Sequence, residues 1–231
     1  MKEKEYVYKF NLVTANIFSI VIFVLLVALT VFWLSMGSSK LSGSVEFTFF
    51  LPLMLAYLCL HEFLHGVGYV IGGAKPKNVY FGIALEKGIL YCLCRQEISK
   101  KGILISLQMP FMVIGVITYV IGMLTHNMML VTLSICNLVG ASMDMAMFNF
   151  IARIKDVRYS ETDANDEFVL ISKEDLTKRK SIFLTLKEVK PYNKKDFEFK
   201  KIKRIIISKI SWILIIVLLL ISLLPFILMF I

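Results

Sequence analysis

A long and almost wholly apolar stretch from Phe47 to Ile71 carries three ionisable side chains, His61, Glu62 and His65. An apolar run of this length predicts a helix that crosses a membrane. Ionisable side chains are costly to bury in such a helix, so their presence indicates a functional role. Residues four apart in a helix lie one turn apart on the same face, which places His61 and His65 next to each other.

These residues form the motif His-Glu-x-x-His, in which two imidazoles on one helix face can bind a single metal ion. On a helix this motif is the signature of the zincin metalloproteases. The alternative interpretation is a polar patch that hydrogen-bonds neighbouring helices. The chain has only three histidines, two of which lie in the motif, so we predict a metal site. Histidine and carboxylate ligands favour Zn²⁺ as the metal.

The chain has 231 residues, of which 58% are hydrophobic, against about half in soluble domains. The excess lies in five long blocks, at about 11–36, 47–71, 103–124, 128–151 and 205–231. We therefore predict an all-α membrane protein with about five transmembrane helices, a cytoplasmic β-hairpin at 78–95 and a small cytoplasmic segment before the last helix. The domains expected are a four-helix membrane core at 1–151, a cytoplasmic region at 152–204 with strand-like runs at 168–172 and 181–189, and a C-terminal helix at 205–231.

The net charge of +9 is interpreted as a topology signal, because positive residues gather in cytoplasmic loops. Basic residues crowd the loop at 75–101 and the stretch at 194–204, which places the N-terminus in the cytoplasm and the C-terminus outside the cell membrane. The expected partners are membrane lipid and a peptide or membrane-protein substrate, not nucleic acid. The hairpin is very apolar for a loop. Either its exposed edge holds an extended peptide by strand addition, or it only caps the helices.

A catalytic zinc ion usually has three protein ligands, and Asp144 is the predicted third one. Only Glu62 and Asp144 are acidic residues well inside the predicted spans. Both His65 and Asp144 lie about 10 Å below the cytoplasmic end of their helices, at 1.5 Å per residue. The alternative is a salt bridge between Asp144 and a buried cation, for which the spans offer only Lys209, near a helix end.

Two further residues of the predicted spans stand out. Asn137 lies two helical turns before Asp144 on the same face, where it can bind a peptide, orient a metal ligand or form a helix–helix hydrogen bond. The sequence leaves these roles open. Pro110, early in the third span, frees a backbone carbonyl and can bend its helix, as in helices that line cavities.

At these residues the chain resembles the site-2-protease-like intramembrane metalloproteases and, more closely, a bacterial family of membrane zincins without an assigned function. The similarity covers about Phe47 to Ile154 and includes, besides the motif and Pro110, Gly73-x-x-Pro76 and Tyr80-Phe81-Gly82. In site-2 proteases an Asn is followed by prolines and Leu-Asp-Gly. The segment from Asn137 to Asp144 has no proline, lacks the final Gly and is one residue shorter. The resemblance implies that Asp144 is the third ligand and Glu62 the base.

Three functions are compatible with these features. The preferred one is a zinc peptidase in which the ion acidifies a water molecule while Glu62 takes up its proton and returns it to the leaving amine. The second is a non-catalytic immunity or chaperone-like protein that retains the metal site. The third is a small ion- or proton-coupled transporter. Metal content separates the third from the other two, and Glu62→Gln separates the first from the second.

Overall fold

The computed structural model describes residues 2–36, 47–84, 89–162 and 167–192. Three of the sequence predictions lie outside these residues. They are the last span at 205–231, the basic stretch at 194–204 and the hairpin turn at 86–88.

The helical part of the chain consists of six α-helices and one π-helical segment among the described residues. They are α1 (Leu12–Met36), α2 (Phe47–Ile71), α3 (Lys100–Pro110), the π-helical segment Phe111–Ile117, α4 (Thr118–Leu124), α5 (Met128–Gly140) and α6 (Ser142–Ala152). Helix α3 begins at an N-cap, where the Ser99 hydroxyl accepts a hydrogen bond from the backbone N–H of Gly102.

Three helical stretches of the described chain are long and apolar enough to cross a membrane, namely Leu12–Met36, Phe50–Ile71 and Lys100–Leu124. Helices α5 and α6 form a fourth candidate span if they are counted as one span. The two helices are bent by 47° relative to each other across Ala141. The chain therefore has the helices of a multi-pass membrane protein, and four of the five predicted spans have a counterpart. The sequence predicted no break inside the span at 128–151.

The prediction of an all-α protein is wrong, because the described residues include seven strands. They are β1 (Lys4–Phe10), β2 (Val79–Ala84), β3 (Ile89–Cys94), β4 (Ile98–Ser99), β5 (Arg158–Glu161), β6 (Glu167–Ser172) and β7 (Leu184–Pro191). Five of them form an antiparallel sheet in the order β4-β5-β6-β1-β7. The strand-like runs predicted at 168–172 and 181–189 correspond to β6 and β7. No strand was predicted at the position of β1, because its partners lie far along the chain.

The sheet packs against the bundle through aromatic side chains. Tyr6 and Tyr8 of β1 lie on one face of the strand and are only 1% exposed. The ring of Tyr8 stacks on Phe168 at 5.8 Å and meets Phe150 of α6 edge-on at 5.1 Å. Because β1 leads into α1 and β5 follows α6, the sheet lies at the end of the bundle where α1 begins and α6 ends. The domain boundary at 151/152 stays a prediction, and the sheet draws strands from both sides of it.

The predicted hairpin is confirmed in its strands. Strands β2 and β3 pair antiparallel, from Val79 opposite Cys94 to Ala84 opposite Ile89. At the open end of the hairpin, the backbone N–H of Arg95 donates to the carbonyl of Asn78. This two-stranded sheet is separate from the five-stranded one.

Helices α2 and α3 approach each other closely because small residues face each other. A Cβ atom on Gly68 would lie 2.4 Å from the Cα of Ser106, and one on Gly72 would lie 2.2 Å from the Cα of Gly102. No side chain fits at these distances. The close approach brings the backbone of α3 within reach of His65, one turn before Gly68 in α2.

Candidate metal centre

His61, His65 and Asp144 form one partly buried group at the centre of the helix bundle. The Nε2 atoms of His61 and His65 are 3.1 Å apart. The Oδ2 atom of Asp144 lies 3.4 Å from His61 Nε2 and 3.5 Å from His65 Nε2. The structure therefore brings together the two histidines of α2 and the aspartate of α6, as the depth argument predicted.

The ring of His65 is oriented by a backbone carbonyl of α3. Its Nδ1 donates to the carbonyl oxygen of Ser106 at 2.9 Å. This carbonyl is four residues before Pro110, which has no N–H to bond it. In return, the Ser106 hydroxyl donates to the carbonyl of His65 at 2.9 Å. Since a carbonyl can only accept, the proton of neutral His65 is on Nδ1, and Nε2 carries the lone pair.

The ring of His61 is oriented by Asn137 of α5. The Oδ1 of Asn137 lies 2.9 Å from His61 Nδ1. The Asn137 Nδ2 donates to the carbonyl of Pro110 at 3.1 Å, so the amide must present its oxygen to His61. His61 therefore also donates from Nδ1 and keeps a lone pair on Nε2. Of the roles left open for Asn137, the helix–helix hydrogen bond is present, from α5 to the Pro110 carbonyl of α3. The contact with His61 also places the Asn137 amide where it can orient a metal ligand.

The three donor atoms fit a zinc ion. With bonds of about 2.0–2.2 Å, tetrahedral zinc ligands lie about 3.3–3.6 Å from one another. The two separations from Asp144, 3.4 and 3.5 Å, lie in this range, and the separation of the two imidazoles, 3.1 Å, lies just below it. Two lone pairs and a carboxylate oxygen repel each other at this distance unless a cation or a proton lies between them. Two histidines and one carboxylate are also a ligand set of catalytic zinc sites. The described part of the chain holds no second group of this kind.

Glu62 lies beside this group but does not belong to it. Its carboxylate accepts a hydrogen bond from the backbone N–H of Cys92 in β3 and lies close enough to His61, His65 and Asp144 to interact with their charges. The carboxylate thus lies between the hairpin and the metal-binding atoms. This arrangement leaves it available for proton transfer.

Residues 54–158 match the family model described as "Putative zincin peptidase". This zincin segment, as we call it, runs from within α2 to the first residue of β5 and covers a little under half of the chain. No curated protein and no solved structure matches the chain. A zincin peptidase uses a metal ion to hydrolyse peptide bonds. The match and the geometry of the His–His–Asp group therefore point to the same chemistry.

All the predicted site residues lie within the zincin segment, while two backbone groups of the site were missed by sequence reasoning. They are the carbonyl of Ser106 and the N–H of Cys92. The sequence does point to the Ser106 carbonyl, because Pro110 frees the carbonyl four residues before it. Nothing in the sequence points to the N–H of Cys92. His126, also in the zincin segment, packs on Trp33 with ring centroids 5.4 Å apart, outside the metal group.

Proposed function

We propose that the chain is a zinc-dependent intramembrane peptidase, similar to site-2 proteases, that cleaves a membrane protein or a hydrophobic peptide near the cytoplasmic face. The observation that carries this proposal is the convergence of His61, His65 and Asp144 beside Glu62, inside helices apolar enough to span a membrane. The match of residues 54–158 to a zincin model supports it independently.

The chemistry follows from the positions of the side chains. A zinc ion held by the three ligands supplies a Lewis acid that polarises the scissile carbonyl and acidifies water. Glu62 takes up the proton of the attacking water and returns it to the leaving amine. Asn137 and the Ser106 carbonyl hold the two imidazoles in place. His65 lies six residues before the end of α2, or about 9 Å deep, so water reaches the site from the face covered by the sheet.

The hairpin is the candidate element for holding a substrate. Strand β3 contacts the site through the hydrogen bond between Cys92 and Glu62. This contact favours peptide addition at β3 over a hairpin that only caps the helices, because a peptide strand placed there would pass close to Glu62.

The test compares the full-length purified protein with Glu62→Gln, His61→Ala and Asp144→Ala, with His126→Ala as a histidine control outside the group. We expect near-stoichiometric zinc in the wild type, Glu62→Gln and His126→Ala, and loss of zinc in His61→Ala and Asp144→Ala. Cleavage is followed on single-span membrane peptides labelled with a fluorophore and a quencher, reconstituted in liposomes. Glu62→Gln should lower the rate by about 100-fold or more.

The same variants separate the alternative functions. A protein that works through binding alone, as an immunity or chaperone-like partner would, keeps its cellular activity in Glu62→Gln. A transporter that uses the buried His and Asp for protons or ions contains no zinc in the wild type. Full cellular activity of Glu62→Gln, or a metal-free wild type, would overturn the peptidase proposal.

A further inference from the structure

A cavity of about 560 Å³ lies between α1, α6 and the loop that leads into β7. Its volume is typical of ligand sites, which range over about 300–1,000 Å³. The inner wall is apolar, with Phe18 from α1 and Ala146 and Phe150 from α6. None of the residues assigned to the metal centre lines this cavity, so it is a second site that the peptidase chemistry does not use.

Three cations, Arg153, Arg179 and Lys180, line the cavity, and among the described residues no acidic side chain does. Arg179 is paired with Glu174. Arg153 and Lys180 are exposed, and neither forms an ion pair with any carboxylate of the described chain. Within the described chain the cavity therefore presents two positive charges without a counter-charge, which favours an anionic group as the ligand.

The polar and apolar walls of the cavity lie at different depths along the helices. Arg153 directly follows the end of α6, at the membrane face covered by the sheet. Phe18 lies six residues inside α1, and Met145 lies seven residues before the end of α6, which places both about 10 Å deeper. A ligand that fills the cavity thus has an anionic head at the membrane surface and an apolar tail beside the helices.

The loop before β7 packs against α1 and exposes an apolar side chain that suits a membrane surface. Its Phe183 carbonyl accepts a hydrogen bond from the backbone N–H of Asn11 at 2.8 Å, and the Phe183 ring packs on Phe18 at 4.9 Å. The neighbouring Ile182 is 71% exposed, more than any other large apolar side chain of the described residues outside the helices. An exposed isoleucine two residues after a lysine, at the level of the helix ends, is stabilised by contact with lipid.

From these observations we propose that the cavity binds an anionic phospholipid of the leaflet on the side of the sheet. Arg153 and Lys180 bind the headgroup phosphate, while an acyl chain lies along Phe18 and Met145. Basic pockets between transmembrane helices are known to bind such headgroups. This lipid site does not depend on the proposed peptidase activity.

The test uses the full-length protein reconstituted with equal amounts of phosphatidylglycerol and phosphatidylcholine, and native mass spectrometry counts the lipids that remain bound. We expect the wild type to retain phosphatidylglycerol selectively. Arg153→Gln with Lys180→Gln should lower this retention by about five-fold or more for each charge. The matched control is Lys173→Gln with Lys178→Gln, which removes two exposed lysines that do not line the cavity and should leave retention unchanged.

A second variant removes the space instead of the charge. Asn149 is an exposed residue that lines the cavity, so Asn149→Trp should fill it and displace the lipid while the net charge stays the same. An excess of inorganic phosphate should not displace the lipid, because the tail contributes to binding. Equal retention in the charge variant and its control, equal retention of phosphatidylcholine, or displacement by phosphate alone would overturn the proposal.

Discussion

Two backbone carbonyls, those of Ser106 and Pro110, determine how the metal-binding histidines point. Ser106 binds His65 directly, whereas Pro110 fixes the side-chain amide of Asn137, which in turn holds His61. Both carbonyls lie where α3 passes into the π-helical segment, a type of irregularity that is frequent at functional sites. At this irregular part of the helix, the two carbonyls accept hydrogen bonds from side chains, and these bonds orient the imidazoles of His61 and His65.

Asn137→Ala tests this at the residue scale. Loss of the amide frees the His61 ring, and outer partners of this kind contribute about 10–100-fold in metal affinity. We expect the zinc affinity to fall by this factor in a competition titration with a chelator. Asn137→Asp keeps an acceptor for His61 Nδ1 and should recover part of the affinity. Asn149→Ala is the control, because Asn149 donates only to its own helix, at the Met145 carbonyl; equal affinities in the two alanine variants would contradict the assigned role.

At the scale of elements, spacing and depth were sufficient to predict that His61, His65 and Asp144 lie close together. The His-Glu-x-x-His motif placed two ligands on one helix face, and the depth of Asp144 matched it to His65. The span at 128–151 was predicted unbroken, although the structure bends it by 47° across Ala141. The sequence could not reveal the bend by periodicity, because both halves are apolar and only Gly140 marks the break. The carbonyl of Ser106 and the N–H of Cys92, which support the site, are backbone groups. Every residue has a backbone carbonyl, and every residue except proline has an N–H, so the residue type does not indicate their role.

Gly68→Ala tests the contact between α2 and α3. The added Cβ would lie 2.4 Å from the Cα of Ser106, so the helices must separate, and overpacking of this kind costs about 1–3 kcal/mol. We expect a lower midpoint of thermal unfolding and weaker zinc binding, since the Ser106 carbonyl moves away from His65. Gly140→Ala is the control, because its Cβ would meet nothing within 4 Å. A Gly68→Ala protein with the zinc affinity of this control would show that the close approach does not support the site.

At the scale of the whole molecule, the sheet joins the start of the described chain to its last strand. Strand β1 pairs with both β6 and β7, so the residues before α1 and those after α6 form one structure. The sequence could not predict this, because a seven-residue strand with three charged side chains differs little from a charged tail unless its partners are known. Its alternating tyrosines were the available signal.

Tyr8 makes the sheet sensitive to alkaline pH. Burial raises the pKa of Tyr8 to about 12, above the usual value of about 10. Its contribution to stability is therefore complete below pH 10 and is lost as the pH rises from about 10 to about 12. We expect the thermal midpoint to fall less between about pH 9 and pH 11 in Tyr8→Phe than in the wild type. Tyr80→Phe, in the hairpin, should behave like the wild type; an unchanged alkaline loss in Tyr8→Phe would refute the assignment.

The position of β1 in the middle of the sheet has a consequence for biosynthesis. The ribosome makes this strand first, but its two neighbours, β6 and β7, emerge only after every described helix has been translated. Pairings between segments so distant in the chain form slowly. We therefore expect the helices to enter the bilayer while β1 is still unpaired, and the nascent protein to close its sheet as a late step.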